Sequence, residues 1–204
     1  MRVFALCLPV LVSMLSATAL AEDKFTPIFN GKDLDGWDGD PELWKVADGV
    51  LIGSTDNKDL KHNSFLATKK SYKNFVLKVK FKLRNHNSGI QYRSKQSPDY
   101  VVTGYQADIA DNAYMGILYE EGGRGVRANV NAEEVGKHVN KDGWNEYVIT
   151  ADGPHLKQEL NGFTTVDYHE EPGMGSAEGI IGLQLHQGPK MQIEFKDIEI
   201  RELP

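Results

Sequence analysis

Alternation of apolar and polar residues along residues 74–83 predicts the clearest β-strand in the chain. Lys78, Lys80 and Lys82 occupy alternate positions between apolar neighbours. Because successive side chains of a strand point to opposite faces, one face of this segment contacts a core and the other faces water. A helix would scatter the same apolar residues around its circumference.

Turn signals divide the rest of the chain into further short strands, the first of them at residues 25–29. Asp48-Gly49 and Asn161-Gly162 are two-residue hairpin signals between apolar runs. A break in the alternation at Lys196-Asp197 predicts a β-bulge in the last strand. Residues 131–138 suggest no more than one helical turn. We therefore predict an antiparallel β-sandwich or jelly roll, with the first and last strands paired.

Three alternating stretches, residues 89–93, 104–109 and 179–186, share an unusual polar face. Their apolar residues can face a core, and amides, a guanidinium, a carboxylate and an imidazole then lie on the other side. If the three strands are neighbours in one sheet, we interpret this face as a binding surface, since amides and Arg make directional hydrogen bonds to hydroxyl groups. The alternative is a polar face whose groups bond each other and water. The six residues are Gln91, Arg93, Gln106, Asp108, Gln184 and His186.

The first residues have the pattern of a secretory signal peptide. Arg2 precedes a mostly apolar run, and Ala19-Leu20-Ala21 is a small-x-small cleavage site before charged residues. We predict a signal peptide over residues 1–21 and a single domain over residues 22–204. The mature protein would then lie in the periplasm or outside the cell, without a membrane anchor.

Composition excludes several classes of site. Cys7 is the only cysteine and lies in the predicted signal peptide, so the mature chain can hold no cysteine nucleophile or thiolate metal site. The net charge of −6, without a long basic run, argues against nucleic acid as a partner.

Short catalytic and cofactor motifs are missing from the sequence. It has no GxSxG elbow and no phosphate-binding loop before a helix, and we predict no cofactor. Four histidines stand apart from one another and are expected to be solvated: His62, His138, His155 and His169. A calcium site built from scattered Asp side chains would leave no motif, so a bound divalent cation stays open.

Seven motifs, in order from Phe25 to about Arg201, resemble the 3-keto-disaccharide hydrolase domain family. They are residues 29–34 with Gly36-Trp37, residues 87–90 with Arg93, residues 104–106 with Asp108, residues 118–121 with Arg124-Gly125, residues 143–145, Asn161-Gly162, and residues 182–186. The resemblance implies a concanavalin-like β-sandwich with sugar chemistry on its concave face. It also implies a small carbohydrate substrate, made by a separate oxidoreductase that oxidises C3 of a sugar.

In the chemistry that the resemblance implies, a carbonyl at C3 acidifies the proton on C2. A base removes that proton, the enolate expels the glycosidic oxygen from C1, and water adds to the unsaturated sugar. His186 is the preferred base, because histidine ordinarily changes charge near neutral pH. Asp108 would orient it, or act as base if burial raised its pKa. Arg93 would stabilise the enolate, and Glu120 or its neighbour Glu121 would protonate the leaving oxygen. The expected substrate-binding residues are Gln91, Gln106, Gln184, Gly182, Tyr119 and Arg124.

Two other functions fit the same residues. A β-sandwich with a polar concave face could be a carbohydrate-binding module without activity, since fold does not fix function. A conventional glycosidase could use Asp108 with Glu120 or Glu121, if two carboxylates face each other across a cleft at about 5–10 Å.

Overall fold

The computed structural model describes residues 24–204, so the predicted signal peptide and Cys7 lie outside the described residues. Short strands make up most of this part of the chain, with one α-helix. The helix α1 is Ala132–Gly136. The strands are β1 Thr26–Pro27, β2 Trp37–Asp38, β3 Trp44–Ala47, β4 Val50–Ser54, β5 Ser64–Thr68, β6 Phe75–Leu83, β7 Asn87–Ser97, β8 Val101–Ala110, β9 Leu118–Glu121, β10 Gly125–Ala128, β11 Asn145–Asp152, β12 His155–Leu160, β13 Phe163–His169, β14 Ile180–Leu185 and β15 Gln192–Glu202.

These strands form two antiparallel sheets packed face to face as a β-sandwich. The first sheet has the order β13-β12-β11-β6-β15-β4-β3, with β1 also paired to β15. The second has the order β10-β9-β8-β7-β14-β5-β2. The three strands with the unusual polar face, β7, β8 and β14, are neighbours in the second sheet, as the prediction required.

One continuous apolar core lies between the sheets. Alternate residues of β6, such as Leu77 and Val79, are fully buried there and meet Ile90, Tyr105 and Ile181 of the second sheet in one cluster. Phe81 and Tyr147 stack with ring centroids 5.4 Å apart. Burial of aromatic and aliphatic side chains at this density stabilises the sandwich without cysteine pairs in residues 24–204.

The hairpin and bulge predictions are confirmed. Asp48 and Gly49 have φ of 50° and 78°, and Asn161 and Gly162 have φ of 50° and 81°, the left-handed geometry that a tight two-residue hairpin needs. The register between β15 and β6 shifts after Lys196, where Asp197 adopts a φ of 48°. The first strand is shorter than the predicted residues 25–29.

No helix among residues 24–204 has the length and hydropathy needed to cross a membrane.

The outer face of the second sheet is open only in part. Phe65 of β5 is the register partner of Gln184 and is fully buried, although it lies outside the core between the sheets. Its strand also contacts the short 3-10 turn Pro98–Tyr100 between β7 and β8. The accessible part of the face is therefore a cleft away from this turn, at the start of β7 and toward the ends of β8 and β14.

Candidate functional site

A polar cleft of about 380 Å³ lies on the outer face of the second sheet. Carboxylates, amides, two imidazoles and two phenols line it, which is a donor and acceptor set suited to a polyhydroxylated ligand. The lining residues are Asn63, His86, Asn87, Gln106, Asp108, Asn112, Tyr114, Tyr119, Glu121, Gln184 and His186. Six of the residues named from the sequence are among them: Gln106, Asp108, Tyr119, Gln184, His186 and Glu121, the alternative to Glu120.

Strand register explains why these side chains meet. Gln106 pairs with Gln91 on one side and with Tyr119 on the other, so all three point to the same face of the sheet. Asp108 lies two residues further along β8 and pairs with Gly89. A Cβ at residue 89 would overlap the Gln106 side chain, so glycine is needed there for the amide to lie flat against the sheet.

Asp108 is the most perturbed ionisable group in the cleft. Its side chain is only 3% exposed, and burial raises the pKa of this carboxyl from its ordinary value of 3.8 to about 7. Asn87 Nδ2 donates to Oδ1 at 2.7 Å and Gln106 Nε2 donates to Oδ2 at 3.1 Å, which favours the charged form and lowers the pKa. The negative charge of Glu121 raises it. Asp108 can therefore take up or release a proton near neutral pH.

A chain of hydrogen bonds under the floor of the cleft points toward Asp108. Ser94 Oγ donates to Gln91 Oε1 at 2.7 Å, and Gln91 Nε2 donates to Gln106 Oε1 at 2.8 Å. Gln106 then donates to Asp108. Gln91 does not line the cleft but fixes the amide orientation of Gln106, and the predicted substrate residue Gly182 pairs with Gln91 beside it. The carboxylate thus has a fixed rotamer with a defined free edge.

Gln184 is fully buried, yet neither its Nε2 nor its Oε1 has a hydrogen-bond partner. Its side chain lines the cleft. Leaving a buried amide unpaired costs about 1–3 kcal/mol, so natural proteins rarely do it without a reason. A ligand that offers one acceptor and one donor would satisfy both atoms, as a sugar hydroxyl or carbonyl does.

Two histidines from different strand ends form a pair at the edge of the cleft. His86 Nε2 lies 3.2 Å from His186 Nδ1, and the rings meet edge to face with centroids 4.9 Å apart. His186 Nδ1 is also 2.6 Å from the carbonyl oxygen of Gln187. If Nδ1 carries the proton and donates it there, His186 Nε2 has a free lone pair. Asp108 has other partners and does not orient His186.

Arg93, predicted to stabilise an enolate, does not lie in the cleft. The register of β7 and β8 shifts between Tyr92 and Lys95, and Arg93 adopts a φ of 47° in this bulge. Its guanidinium points away from the cleft and donates to the carbonyl oxygens of Lys73 and Gly153 at 2.7 and 2.6 Å. Residue alternation placed Arg93 on the wrong side because a bulge reverses the parity of the residues that follow it.

Glu120 and Arg124 also lie outside the cleft. Arg124 forms ion pairs with Glu120 and with Glu170, whose Oε2 also accepts a hydrogen bond from Tyr105 Oη at 2.5 Å. The Arg124 guanidinium holds the pKa of Glu170 down, at about 2. Glu121, its side chain opposite to that of Glu120 on β9, lines the cleft instead, with Asn63 Nδ2 donating to it at 2.9 Å. The two predicted residues thus belong to a structural ion cluster.

Several residues of the cleft were not found by sequence reasoning. His86, Asn87, Asn63 and Tyr114 come from strand ends and loops, where no alternation reveals the direction of a side chain. Tyr114 is 51% exposed and stands at the mouth of the cleft. The one usable signal was Asn87, which belongs to the motif at residues 87–90.

A second cavity of about 500 Å³ lies between α1 and residues 110–115. None of its lining residues carries a buried polar atom without a partner. The smaller cleft around Asp108 is therefore the better candidate for a functional site in residues 24–204.

Several solved structures resemble this chain over most of its length. A Parabacteroides distasonis protein provisionally assigned as a glycosyl hydrolase is 26% identical, with a TM-score of 0.65 over 89% of this chain and 100% of its own. A second such structure from the same organism is 24% identical, with a TM-score of 0.65 over 88% and 94% of the two chains. The carbohydrate-binding module CBM66 of Bacillus subtilis is 17% identical, with a TM-score of 0.63 over 82% and 96%, and shares the fold.

No curated protein sequence matches the chain. The sequence profile of the 3-keto-alpha-glucoside-1,2-lyase-like domain, however, matches residues 24–201. This match spans nearly the whole described sandwich, including both sheets and the cleft. The chain therefore belongs to the family of 3-keto-alpha-glucoside-1,2-lyase-like domains.

Proposed function

We propose that this protein is an exported enzyme that cleaves the glycosidic bond of 3-keto-glycosides by elimination. The observation that carries the proposal is Asp108, a buried carboxyl with a pKa of about 7 in a cleft lined by hydrogen-bonding groups. A base that works by abstracting a carbon-bound proton is most effective when its pKa lies near the working pH. A group that only binds hydroxyls has no need of such a pKa.

In the proposed reaction, ionised Asp108 takes the proton from C2 of the keto sugar. The electron pair of the broken C–H bond moves toward the C3 carbonyl and forms an enolate. Asn87 and Gln106 hold the carboxylate by its two oxygens, so its remaining lone pairs face the cleft. This assignment makes Asp108 rather than His186 the base, since burial supplies the raised pKa that the role needs.

Gln184 is suited to hold the enolate. Its unpartnered Nε2 can donate to the oxygen on C3, where negative charge develops, and its Oε1 can accept from a neighbouring hydroxyl. A donor that is already in place and buried stabilises a developing charge better than water does, because it does not need to reorient.

The His86–His186 pair is placed to help the leaving group depart. In the collapse of the enolate the C1–O bond breaks and its electron pair stays on the oxygen. The proton that Asp108 removed from C2 then reaches that oxygen by way of His186, which leaves Asp108 ionised again. The products are a free alcohol and an unsaturated 3-keto sugar. Addition of water then puts a hydroxyl on C1 and a proton on C2. Tyr114, half exposed at the mouth of the cleft, offers an aromatic surface for the departing group.

A conventional glycosidase is the second candidate, since Asp108 and Glu121 line the same cleft and their charges interact. In that mechanism the raised pKa of Asp108 would serve a general acid, as in other carboxylate pairs. The substrate would then be an unoxidised glycoside.

Matched substrates separate the two. The purified protein is incubated in deuterated water with a disaccharide and with the same disaccharide oxidised at C3. Elimination predicts that only the keto form is cleaved, and that the hydrated product carries deuterium at C2. Cleavage of the unoxidised sugar would identify a glycosidase. Saturable binding without cleavage of either sugar would make the cleft a recognition site and overturn the proposal.

The pH dependence of the same reaction tests the role of Asp108. A base with a pKa of about 7 predicts that kcat/KM rises about tenfold per pH unit below pH 7 and levels off above it. Asp108→Asn should lose at least about 100-fold in kcat. If Asp108→Asn stays active and its kcat/KM still rises with pH, the base is another residue. The same conclusion holds if kcat/KM of the wild-type protein falls as the pH rises through 7.

A further inference from the structure

A cluster of three metal-ligating side chains lies on the first sheet, opposite the sheet that holds the cleft. His155 of β12 and Asp167 and His169 of β13 project from the outer face, where these two strands form the edge hairpin. One ligand atom from each residue lies within 4.8 Å of those of the other two. Within residues 24–204, His155, Asp167 and His169 form the one group of three such side chains whose ligand atoms lie this close together.

The hairpin register creates the cluster. His155 pairs directly with His169, and Asp167 precedes His169 by two residues on the same face. The imidazole rings stack at 7° with centroids 4.4 Å apart, and His155 Nε2 is 2.7 Å from Asp167 Oδ1. Separate positions in the sequence hide this arrangement, and for that reason the two histidines looked isolated.

The charge of Asp167 is available to a ligand. Its register partner Lys157 forms an ion pair with Glu159 at 2.9 Å, so the nearest lysine on this face is committed elsewhere. Asp167 has 60% of its side chain exposed and His155 has 32%. Water can therefore complete the coordination shell of an ion held by three protein ligands.

We propose that His155, Asp167 and His169 bind a divalent transition-metal ion of the zinc class. Two neutral imidazoles and a carboxylate are ligands that Zn²⁺, Ni²⁺ and Cu²⁺ prefer, whereas Ca²⁺ and Mg²⁺ prefer oxygen alone. On binding, the ion takes the place of the hydrogen bond between His155 Nε2 and Asp167 Oδ1, and the ring proton of His155 lies on the nitrogen that faces away from the ion. Because the two rings stack at 7°, they must rotate out of this arrangement to direct both lone pairs at one point.

The ion would fasten the edge strand β13 to β12. Glu170 follows His169 directly, and its backbone N–H donates to the carbonyl oxygen of Pro154 at 2.9 Å. Its carboxylate joins the ion pair with Arg124. Glu170 thus links this end of the hairpin to the second sheet. A metal bound to His169 would hold Glu170 in place. The site is independent of the proposed catalytic cleft.

Calorimetric titration of the protein, produced without a histidine tag, with ZnCl₂ tests the proposal. We expect saturable binding of one ion. At a free Zn²⁺ concentration of about 100 times Kd, the melting temperature should rise by about 5–10 °C. His169→Asn and His155→Asn should each weaken binding by at least about tenfold. His62→Asn, which changes an exposed histidine elsewhere, should leave it unchanged.

The His86–His186 pair provides the decisive comparison. His86→Asn should keep the affinity for Zn²⁺ and the rise in melting temperature. Loss of binding in His86→Asn with full binding in His169→Asn would put the ion in the cleft and overturn the proposal. Absence of saturable binding by the wild-type protein would overturn it as well.

Discussion

Replacing Asp108 with Asn should stabilise the protein relative to the wild type, and the difference in unfolding free energy should grow as the pH rises. Burial raises the pKa of Asp108 from 3.8 to about 7, so the folded protein binds the proton more tightly than the unfolded chain does. The sign follows from this difference. Below about pH 4 the carboxyl is protonated in both states and does not affect stability. Between about pH 4 and pH 7 it ionises only in the unfolded chain, so the wild-type protein loses stability as the pH rises. Above about pH 7 it is ionised in both states, and the loss of stability stops growing.

The magnitude follows from the two pKa values. The rise of the pKa from 3.8 to about 7 corresponds to about 4 kcal/mol of lost stability when the pH is well above 7. At pH 5 the unfolded chain is already ionised but the folded carboxyl is protonated, which costs about 2 kcal/mol. At pH 8 the cost is about 4 kcal/mol. Asn cannot ionise, so the stability difference between variant and wild type should widen by about 2–3 kcal/mol from pH 5 to pH 8.

The comparison between two pH values removes the other effects of the substitution. An amide at this position loses one of the two hydrogen bonds from Asn87 and Gln106, at a cost of about 1 kcal/mol that does not depend on pH. Urea unfolding at pH 5 and pH 8 measures both proteins, and Asp142→Asn, at an exposed site, serves as the control. A stability difference that stays constant or narrows toward pH 8 would refute a raised pKa at Asp108.

Three further substitutions test the placement of individual residues. Gln184→Leu should leave the unfolding free energy unchanged or raise it by about 1–2 kcal/mol, because a buried unpaired amide disappears. The kcat/KM for a keto-disaccharide should fall at least about tenfold, because a donor to the enolate is lost. Arg93→Lys should lower the unfolding free energy by about 2–3 kcal/mol, because the guanidinium donates to two backbone carbonyl oxygens, and should leave kcat within about twofold. A large loss of kcat without loss of stability would show that Arg93 takes part in catalysis. Arg124→Gln should destabilise by about 2–3 kcal/mol by leaving Glu120 and Glu170 unpaired, and the added change Glu170→Gln should recover part of that loss in chemical denaturation.

The fold could be read from the sequence because it depends on local chemistry. Alternation along residues 75–83 defines a half-buried strand, and Asn161-Gly162 supplies the backbone geometry of a tight hairpin wherever it occurs. The short strand β10 was missed, since Gly125–Ala128 has no alternation and is ordered by pairing with β9. Local patterns define strands but not which partners an irregular segment finds.

The composition of the cleft was predicted in part. Gln106, Asp108 and Gln184 lie in regular stretches of β8 and β14, where alternation decides the direction of each side chain. Arg93 follows the same rule in the sequence, but the bulge in β7 turns it away. The glycine that accommodates this bulge, Gly104, lies in the partner strand β8 and has a φ of 138°, with Arg93 and Ser94 both opposite it. The linear pattern of β7 does not contain that pairing.

The sequence by itself determined that this chain is an all-β sandwich with a row of amides and a carboxylate on one sheet face, because strand periodicity is a property of neighbouring residues. Tertiary structure alone decided the rest. It placed Glu121 rather than Glu120 in the cleft, brought His86 beside His186, and buried Asp108 deeply enough to raise its pKa to about 7. Proton affinity and side-chain pairing depend on what surrounds a group in space, and that environment comes from residues far away in the chain.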